Sequence, residues 1–479
     1  MKKSISIVIL ILLAVNMCCG CTTKKVTDSG VTLKWYIPND KMADLNLVND
    51  ELNRITQEKL GVKINLQFID LAAYQDRMNM NMASGDDYDI AWFGYMNTMV
   101  NAVSKGGLMP LDDLIKSTPK LAAELPDYVW EQAKIKGVLY AVPNLQILTH
   151  ATALLINKEL ADKYNFDVNS LTKTTDIEPF LKIIKENEPG IYPFHPAYGV
   201  ASFRSMNEEN DNYGEYYTGV YKDESTGKYV VTDGQDFGKT YERAKQLNNW
   251  YKKGYIRRDI ASVMDDTSDL KAGKYAVTVQ TYKPGNESEF EANYGYKVYQ
   301  KRVSPIRFGK LQARSTMLAI GKDSKHPEQA IKFVELLNTD KTVYNLLCFG
   351  VEGKHYNKVS DNRIELVNNS GYCPMASWKF GNQFNAYLLP GQPDDIWEET
   401  KKSNDTALRT QFDSFDFDIT NIKNIITKLK AVTDEYICIR QGTEDPDNYW
   451  DDYKKKLYEC GVQDYINEYQ RQIDIFCGQ

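Results

Sequence analysis

Four histidines, His150, His195, His326 and His355, are scattered along the chain, and no two stand at a spacing that would ligate a metal. The stretch FGKT at Phe237–Thr240 ends like a phosphate-binding loop, but that pattern needs a glycine five residues before Gly238 and finds Asp233. The patterns GxGxxG, GxSxG and HExxH do not occur. Among 65 Asp and Glu residues a glycosidase pair has ample raw material, yet such a pair is defined by separation in space and nothing in the sequence selects one. The expectation is a chain that is not an enzyme and has no catalytic residues, no metal and no cofactor.

Aromatic residues carry the clearer signal. There are 32 tyrosines and 7 tryptophans, and several stand where the strands of a parallel sheet would end: WYIPND after the first, AWFGYMN at the third, and VTVQTYKPG after KAGKYA. Open α/β sheets bind ligands beyond the carboxyl ends of their strands, so rings at those places would point at a cleft. Flat rings suit sugars, whose C–H faces stack on π-systems while Asp, Asn, Gln and Tyr bond the hydroxyls. Taken singly, core or interface packing is the commoner role of such a ring.

The elements that would position these rings follow from periodicity. VTLKWYIP alternates as a strand, and DLNLVNDELNRITQEKLG places Leu45, Val48, Leu52 and Ile55 on one helical face, with Asp44 as a cap and Gly61 as its end. VKINLQFID is a second strand, AAYQDRMNMNMASG a helix closed by Gly85, YDIAWFGY a third strand and residues 98–105 a third helix. This β-α-β-α-β-α order implies right-handed crossovers and a mainly parallel sheet. Further helices are expected over 177–188, 239–253 and 327–338, with Pro327 suited to a first turn. Residues 191–230 read as loop and short strands, and the last sixty residues as helical.

At 479 residues with 42% hydrophobic and 26% charged residues the chain can build two lobes. Its net charge of -7 and lack of a basic stripe argue against nucleic-acid binding. Ile7–Val15 is apolar but too short to span a bilayer; with Lys2 and Lys3 before it, it fits a signal peptide. Beyond the three cysteines of NMCCGC, the chain has Cys348, Cys373, Cys438, Cys460 and Cys477, without CxxC spacing. Buried free thiols are the preferred reading for these five, with one bridge as the alternative.

Several segments together resemble the extracellular solute-binding lipoproteins of ABC importers, in their sugar-type branch. They are NMASGDDYDIAWFGY, KGGLMPLDDLI, KGVLYAVPN, ALLINKELADKYNFD, KAGKYAVTV and LAIGKDSKHPEQAIKFVELLN, in the family's order across residues 31–345. CFGVEGKHYNK, SWKFGNQF and the final WDDYKKKLYECGVQDYINEYQRQIDIF resemble a subgroup with its own C-terminal domain. The resemblance implies a two-lobed type II periplasmic-binding-protein-like α/β fold. Each lobe would be a mainly parallel sheet flanked by helices, and two or three hinge strands would join the lobes. Crossings are expected near Gln146–Ala151, near Ala313–Met317 and after the helix ending at Asn338. Residues 1–20 would be a lipoprotein signal, with Cys21 after Gly20 as the lipidated residue and 21–30 as a tether. The first lobe would comprise 31–147 plus 316–345. The second would comprise 148–315 plus 346–479.

The implied function is capture of an extracellular oligosaccharide by lobe closure and delivery to ABC permease subunits, by a monomer held on the outer face of the cytoplasmic membrane. The alternatives are a peptide or another polar solute as ligand, a secreted lipoprotein glycosidase or lyase, or an adhesin. Expected ligand contacts are Trp35, Tyr36 and Asp40 after the first strand, Trp92, Phe93 and Tyr95 after the third, and Gln146 and His150 near the hinge. His195, Tyr198, Tyr282, Glu352, Tyr356 and Trp378 are expected from the second lobe. Trp92 and Phe93 are strand neighbours, so only one can face the cleft.

Overall fold

VTLKWYIP forms β1 (Val31–Pro38), the strand on which the first lobe is built. The structure is a computed structural model and describes residues 28–85, 88–95, 99–196, 217–237, 240–263, 266–309, 311–374 and 376–479. The signal, Cys21 and Tyr198 lie outside those residues. Helix α1 (Leu45–Leu60) buries Val48, Leu52 and Ile55 and stops at Gly61, whose φ of 68° is left-handed. Asp44 does not cap it; its carboxylate is drawn away to Lys354 Nζ at 2.7 Å and His355 Nε2 at 3.1 Å. Strand β2 (Val62–Ile69) pairs with β1 in parallel along its whole length. Helix α2 (Leu71–Ser84) starts with the Asp70 carboxylate accepting from Ala72 N and ends at left-handed Gly85. Strand β3 (Ile90–Gly94) is buried throughout, and α3 (Met99–Ser104) follows it.

After α4 (Asp127–Ala133) and β4 (Ala141–Pro143) the chain leaves this lobe through β5 (Thr149–His150) and enters the second at β6 (Thr152–Asn157). The second lobe then adds α5 (Glu178–Asn187), β7 (Tyr192–His195), the hairpin β8 (Thr218–Lys222) and β9 (Tyr229–Asp233), and α6 (Thr240–Lys252). Strands β10 (Tyr275–Thr281) and β11 (Val298–Arg302) complete its sheet, in the order β11-β6-β10-β7. Only β10 and β7 pair in parallel there; β6 runs against both β10 and β11, which corrects the expectation of a mainly parallel second sheet. The chain returns through β12 (Arg307–Phe308) to β13 (Thr316–Ile320), which inserts antiparallel between β3 and β4 and gives the first sheet its order β2-β1-β3-β13-β4.

Residues after β13 divide differently from expectation. Helices α7 (Pro327–Thr339) and α8 (Lys341–Phe349), the hairpin β14 (Tyr356–Lys358) and β15 (Ile364–Leu366), and α9 (Ile396–Thr406) pack on the first lobe. Leu347, Cys348, Ile364, Phe380 and Ala407 share one core with Trp35 and Phe333, so residues 346–407 are corrected from the second lobe to the first. The third crossing is at Leu408, not after Asn338. Its N–H donates to Ile306 O at 3.0 Å and its carbonyl accepts from Phe308 N at 2.9 Å, beside the antiparallel β5–β12 pair. Helices α10 (Lys423–Glu435), α11 (Trp450–Glu459) and α12 (Val462–Cys477) then build a separate core with Phe412, Phe415 and the β8–β9 hairpin residues Val220 and Val231.

The hinge is stitched to the first lobe by two of its side chains, Gln132 and Asn404. Gln132 on α4, almost wholly buried, donates to Gly309 O at 2.8 Å and Asp413 O at 3.0 Å and accepts from Ala313 N at 2.6 Å. Asn404 accepts from Leu148 N and donates to Gln146 O. No helix among the described residues is long and apolar enough to cross a membrane. The five later cysteines form no disulfide among the described residues; only Cys348 is buried, which corrects the expectation for the others.

Candidate ligand-binding site

The carboxyl ends of β1 and β3, the hinge origins and the 3₁₀ turn Ser377–Lys379 meet at one edge of the first lobe. There Trp92, Tyr95 and Trp378 form a triangle of rings with centroids 5.9 to 6.0 Å apart. Trp92 is fully buried and supports the other two from below; Trp378 is half-buried and Tyr95 is 62% exposed. The exposed Tyr95 ring stands edge-on to the buried Trp92 and tilted against Trp378. Backbone closeness makes the arrangement: Tyr95 N donates to Ser315 O at 3.1 Å, and a Cβ on Gly94 would lie 2.3 Å from Ser315 O and 2.5 Å from the Trp92 ring. Only glycine fits there. Tyr74 from α2 ties β3 to this edge, its hydroxyl accepting from Trp92 N at 3.0 Å, and burial raises its pKa well above the usual phenol value.

Polar groups surround the rings. Trp92 Nε1 donates to Thr316 Oγ1 at 2.7 Å, and Asn144 Nδ2 donates to the same oxygen at 2.9 Å and to Trp378 O at 3.2 Å. Asn144 Oδ1 is buried without a hydrogen-bond partner among the described residues. Gln146, half-buried, reaches Ser315 Oγ at 3.4 Å. Lys379 donates to Pro38 O at 2.6 Å and lies 4.9 Å from the Trp378 ring; burial pushes its amine down to about 8, against a small opposing pull from Asp40. Asp40 itself is exposed. Asn144, Ser315, Thr316 and Lys379 were not picked out from the sequence. Asn144 stood inside KGVLYAVPN and Thr316 inside the expected crossing, so the signal was position, not residue type.

From the second lobe, Tyr282 follows β10 and is half-buried, its N–H donating to Ala151 O at 2.8 Å and its ring 5.9 Å from the Arg302 guanidinium. It therefore stands beside the outbound crossing as Tyr95 stands beside the return. His150 is exposed on the hinge, with Nε2 2.9 Å from Gln312 Oε1. Among the described residues no group of three or more His, Cys, Asp or Glu could hold a metal ion.

Other expected contacts are placed elsewhere and are corrected. Trp35 is a core residue, edge-on to Phe333 and Phe380, because β1 is the inner strand between β2 and β3. Tyr36 and Phe93 are likewise buried in the first core. His195 is 2% exposed, paired with Asp266 and packed against Tyr275, so its role is inside the second lobe. Tyr356 packs with Phe349 and Tyr387, and exposed Glu352, in the turn before β14, pairs with Lys358 at 3.2 Å. Trp378 stands in the ring triangle, but it packs on the core of the first lobe, not the second.

Two α/β lobes joined by three crossings, with an aromatic edge at the hinge, define the class of two-lobed solute-binding proteins. Residues 41–344 match the family described as bacterial extracellular solute-binding protein, and the chain belongs to that family. Residues 411–477 match a domain of unknown function, DUF3502, which supplies most of the third core, the rest coming from the β8–β9 hairpin and α6. The chain is 29% identical over 478 residues, 96% of its length and 94% of the other's, to a carbohydrate ABC transporter substrate-binding protein of Streptococcus pneumoniae serotype 4 strain TIGR4. Its fold is similar to the crystal structure of the N-glycan transport solute binding protein NgtS from Streptococcus pneumoniae, with a TM-score of 0.82, 27% identity and coverage of 93% of this chain and 99% of that one. The same protein in complex with Man1GlcNAc aligns with a TM-score of 0.73 at 26% identity, covering 94% and 100% of the two chains.

Proposed function

We propose that this chain captures a neutral oligosaccharide between its lobes and delivers it to the membrane subunits of an ABC importer, without covalent chemistry. The observation that carries the reading is the exposed Tyr95 ring over Trp92 and Trp378 at the hinge edge of the first sheet. A sugar ring stacked on Tyr95 and Trp378 would have Gln146 within the same edge for its hydroxyls, with Tyr282 beside the outbound crossing as the second lobe's candidate contact. A ligand that touches both edges binds the closed form better than the open one and shifts the population toward closure. The similarity to the pneumococcal carbohydrate and N-glycan binding proteins supports a glycan of the mannose–N-acetylglucosamine kind as first probe. Cys21 is the proposed lipid-bearing residue, holding the chain as a monomer on the outer face of the cytoplasmic membrane.

A thermal-shift screen of neutral oligosaccharides, with reducing ends assayed in the same wells, tests this reading. Stabilisation by at least one glycan that stays intact is expected; new reducing ends would replace binding by hydrolysis or lysis, and stabilisation by peptides alone would replace the ligand class. Metabolic lipid labelling of Cys21→Ser should be lost, and retained label would move the acceptor to Cys19.

A further inference from the structure

We propose that Thr316 is a positioning residue that makes the aromatic platform and the hinge a single hydrogen-bonded unit, so that a ligand seated on the rings acts on the crossing strands. The proposal rests on the reading of Tyr95 and Trp378 as the platform. Its hydroxyl is 1% exposed by residue and has three partners: it accepts from Trp92 Nε1 at 2.7 Å and from Asn144 Nδ2 at 2.9 Å, and it donates to Trp378 O at 3.1 Å. That uses both lone pairs and the one proton of a hydroxyl. The two indoles of the ring triangle, the supporting Trp92 and the platform's Trp378, therefore hang from one oxygen, one through its ring nitrogen and the other through its backbone.

The same two residues open the hinge. Asn144 is the first residue after β4, where the outbound crossing begins, and Thr316 is the first residue of β13, where the return ends. Their backbones are joined by Asn144 N donating to Thr316 O at 2.9 Å, and Thr316 pairs with Gly94 on the platform strand. One residue further out, Ser315 accepts from Tyr95 N through its carbonyl and faces Gln146 through its hydroxyl. Rotation of either crossing strand must pull on Asn144 or Thr316, and through them on the Trp378 carbonyl and the Trp92 ring. A buried network with every polar atom of the hydroxyl satisfied transmits such a displacement as a unit, because breaking one bond strands a polar group away from water. Asn144 Oδ1 is a buried side-chain acceptor of the cluster without a partner among the described residues.

The test compares Thr316→Val, which keeps shape and removes the hydroxyl, with Thr316→Ser, which restores it. In the ligand-free protein, isotope-labelled tryptophan reports hydrogen exchange at the Trp92 indole; Thr316→Val should accelerate it about tenfold or more, the equivalent of one lost hydrogen bond, and Thr316→Ser should return it to the parent rate. With a mannose–N-acetylglucosamine oligosaccharide as probe at saturation, residues 144–151 and 303–315 should gain exchange protection in the parent and in Tyr95→Ala but not in Thr316→Val. Unchanged indole exchange in Thr316→Val, equal effects of Val and Ser, or full hinge protection in Thr316→Val each overturn the proposal. Should Thr316→Val not fold, Asn144→Leu removes two bonds of the same cluster and must show the same loss of hinge protection. If the parent binds no glycan, the functional reading and the coupling of ligand to hinge fail together, and the ligand-free indole measurement still decides whether the Thr316 hydroxyl holds the Trp92 ring.

Discussion

Tyr95→Ala and Trp92→Ala should separate recognition from support within the same ring triangle. Tyr95 is 62% exposed, and alanine keeps its backbone N–H bond to Ser315 while losing the ring's contacts with Trp92 and Trp378. Its replacement should cost less than about 1.5 kcal/mol of stability, the scale of a partly exposed aromatic contact. Loss of a stacked ring should cost about 1–2 kcal/mol of ligand binding, a weakening of about 5- to 30-fold. Trp92 is 0% exposed, touches Tyr74, Tyr95 and Trp378, and supplies the donor to Thr316 Oγ1. Truncating a buried tryptophan costs about 3–5 kcal/mol. At about 2–4 °C per kcal/mol for a domain of a few hundred residues, the first-lobe transition should fall by about 6–20 °C. Differential scanning calorimetry gives the first quantity and isothermal titration with the glycan gives the second. A Tyr95→Ala protein that melts as low as Trp92→Ala, or one that binds glycan with unchanged affinity, would refute the division into platform and support.

Three further outcomes follow from the geometry. Gly94→Ala should cost about 1–3 kcal/mol and weaken glycan binding, because its methyl would sit 2.3 Å from Ser315 O; a fully stable variant with parental affinity would show that the edge has room to spare. Lys379→Met should melt higher than the parent at pH 7, with the gap closing as pH rises. Burial holds the folded amine near about 8 against a usual 10.5, so the unfolded chain binds more protons between those values and parental stability rises with pH across that window; a gap constant from pH 7 to 10.5 would contradict it. Gln132→Leu leaves Gly309 O, Asp413 O and Ala313 N without that partner, so urea unfolding should show a loss of about 2–4 kcal/mol; a loss below about 1 kcal/mol would mean that water replaces the amide.

The first lobe was legible because its signals are local. Alternation in VTLKWYIP and VKINLQFID, the apolar face from Val48 to Ile55 and the glycines Gly61 and Gly85 produced strands and helices at those places. The second sheet was less legible because parallel or antiparallel pairing of β6 is decided by which lobe the strand has just left, and alternation carries no direction. Residues 346–407 were misplaced for a similar reason: Cys348, Ile364 and Phe380 are apolar wherever they go, and only the shared core with Trp35 shows which lobe buries them. The aromatic count pointed to rings at the strand ends, but period and residue type could not sort them. Trp35 and Trp92 are equally buried, while Tyr95, three residues after Trp92, stands in solvent. Trp378 reached the site through contacts across hundreds of positions, which no spacing encodes. Thr316 and Asn144 escaped notice because a threonine and an asparagine draw their role from what they touch.

Calorimetric titration of the chain with a mannose–N-acetylglucosamine oligosaccharide, followed by mass analysis of the recovered sugar, tests the central claim most directly. Saturable binding of one glycan per chain, a contraction of the particle in small-angle scattering and recovery of the sugar intact are the predicted results. Absence of binding across neutral oligosaccharides, or recovery of a shortened sugar, would contradict the account.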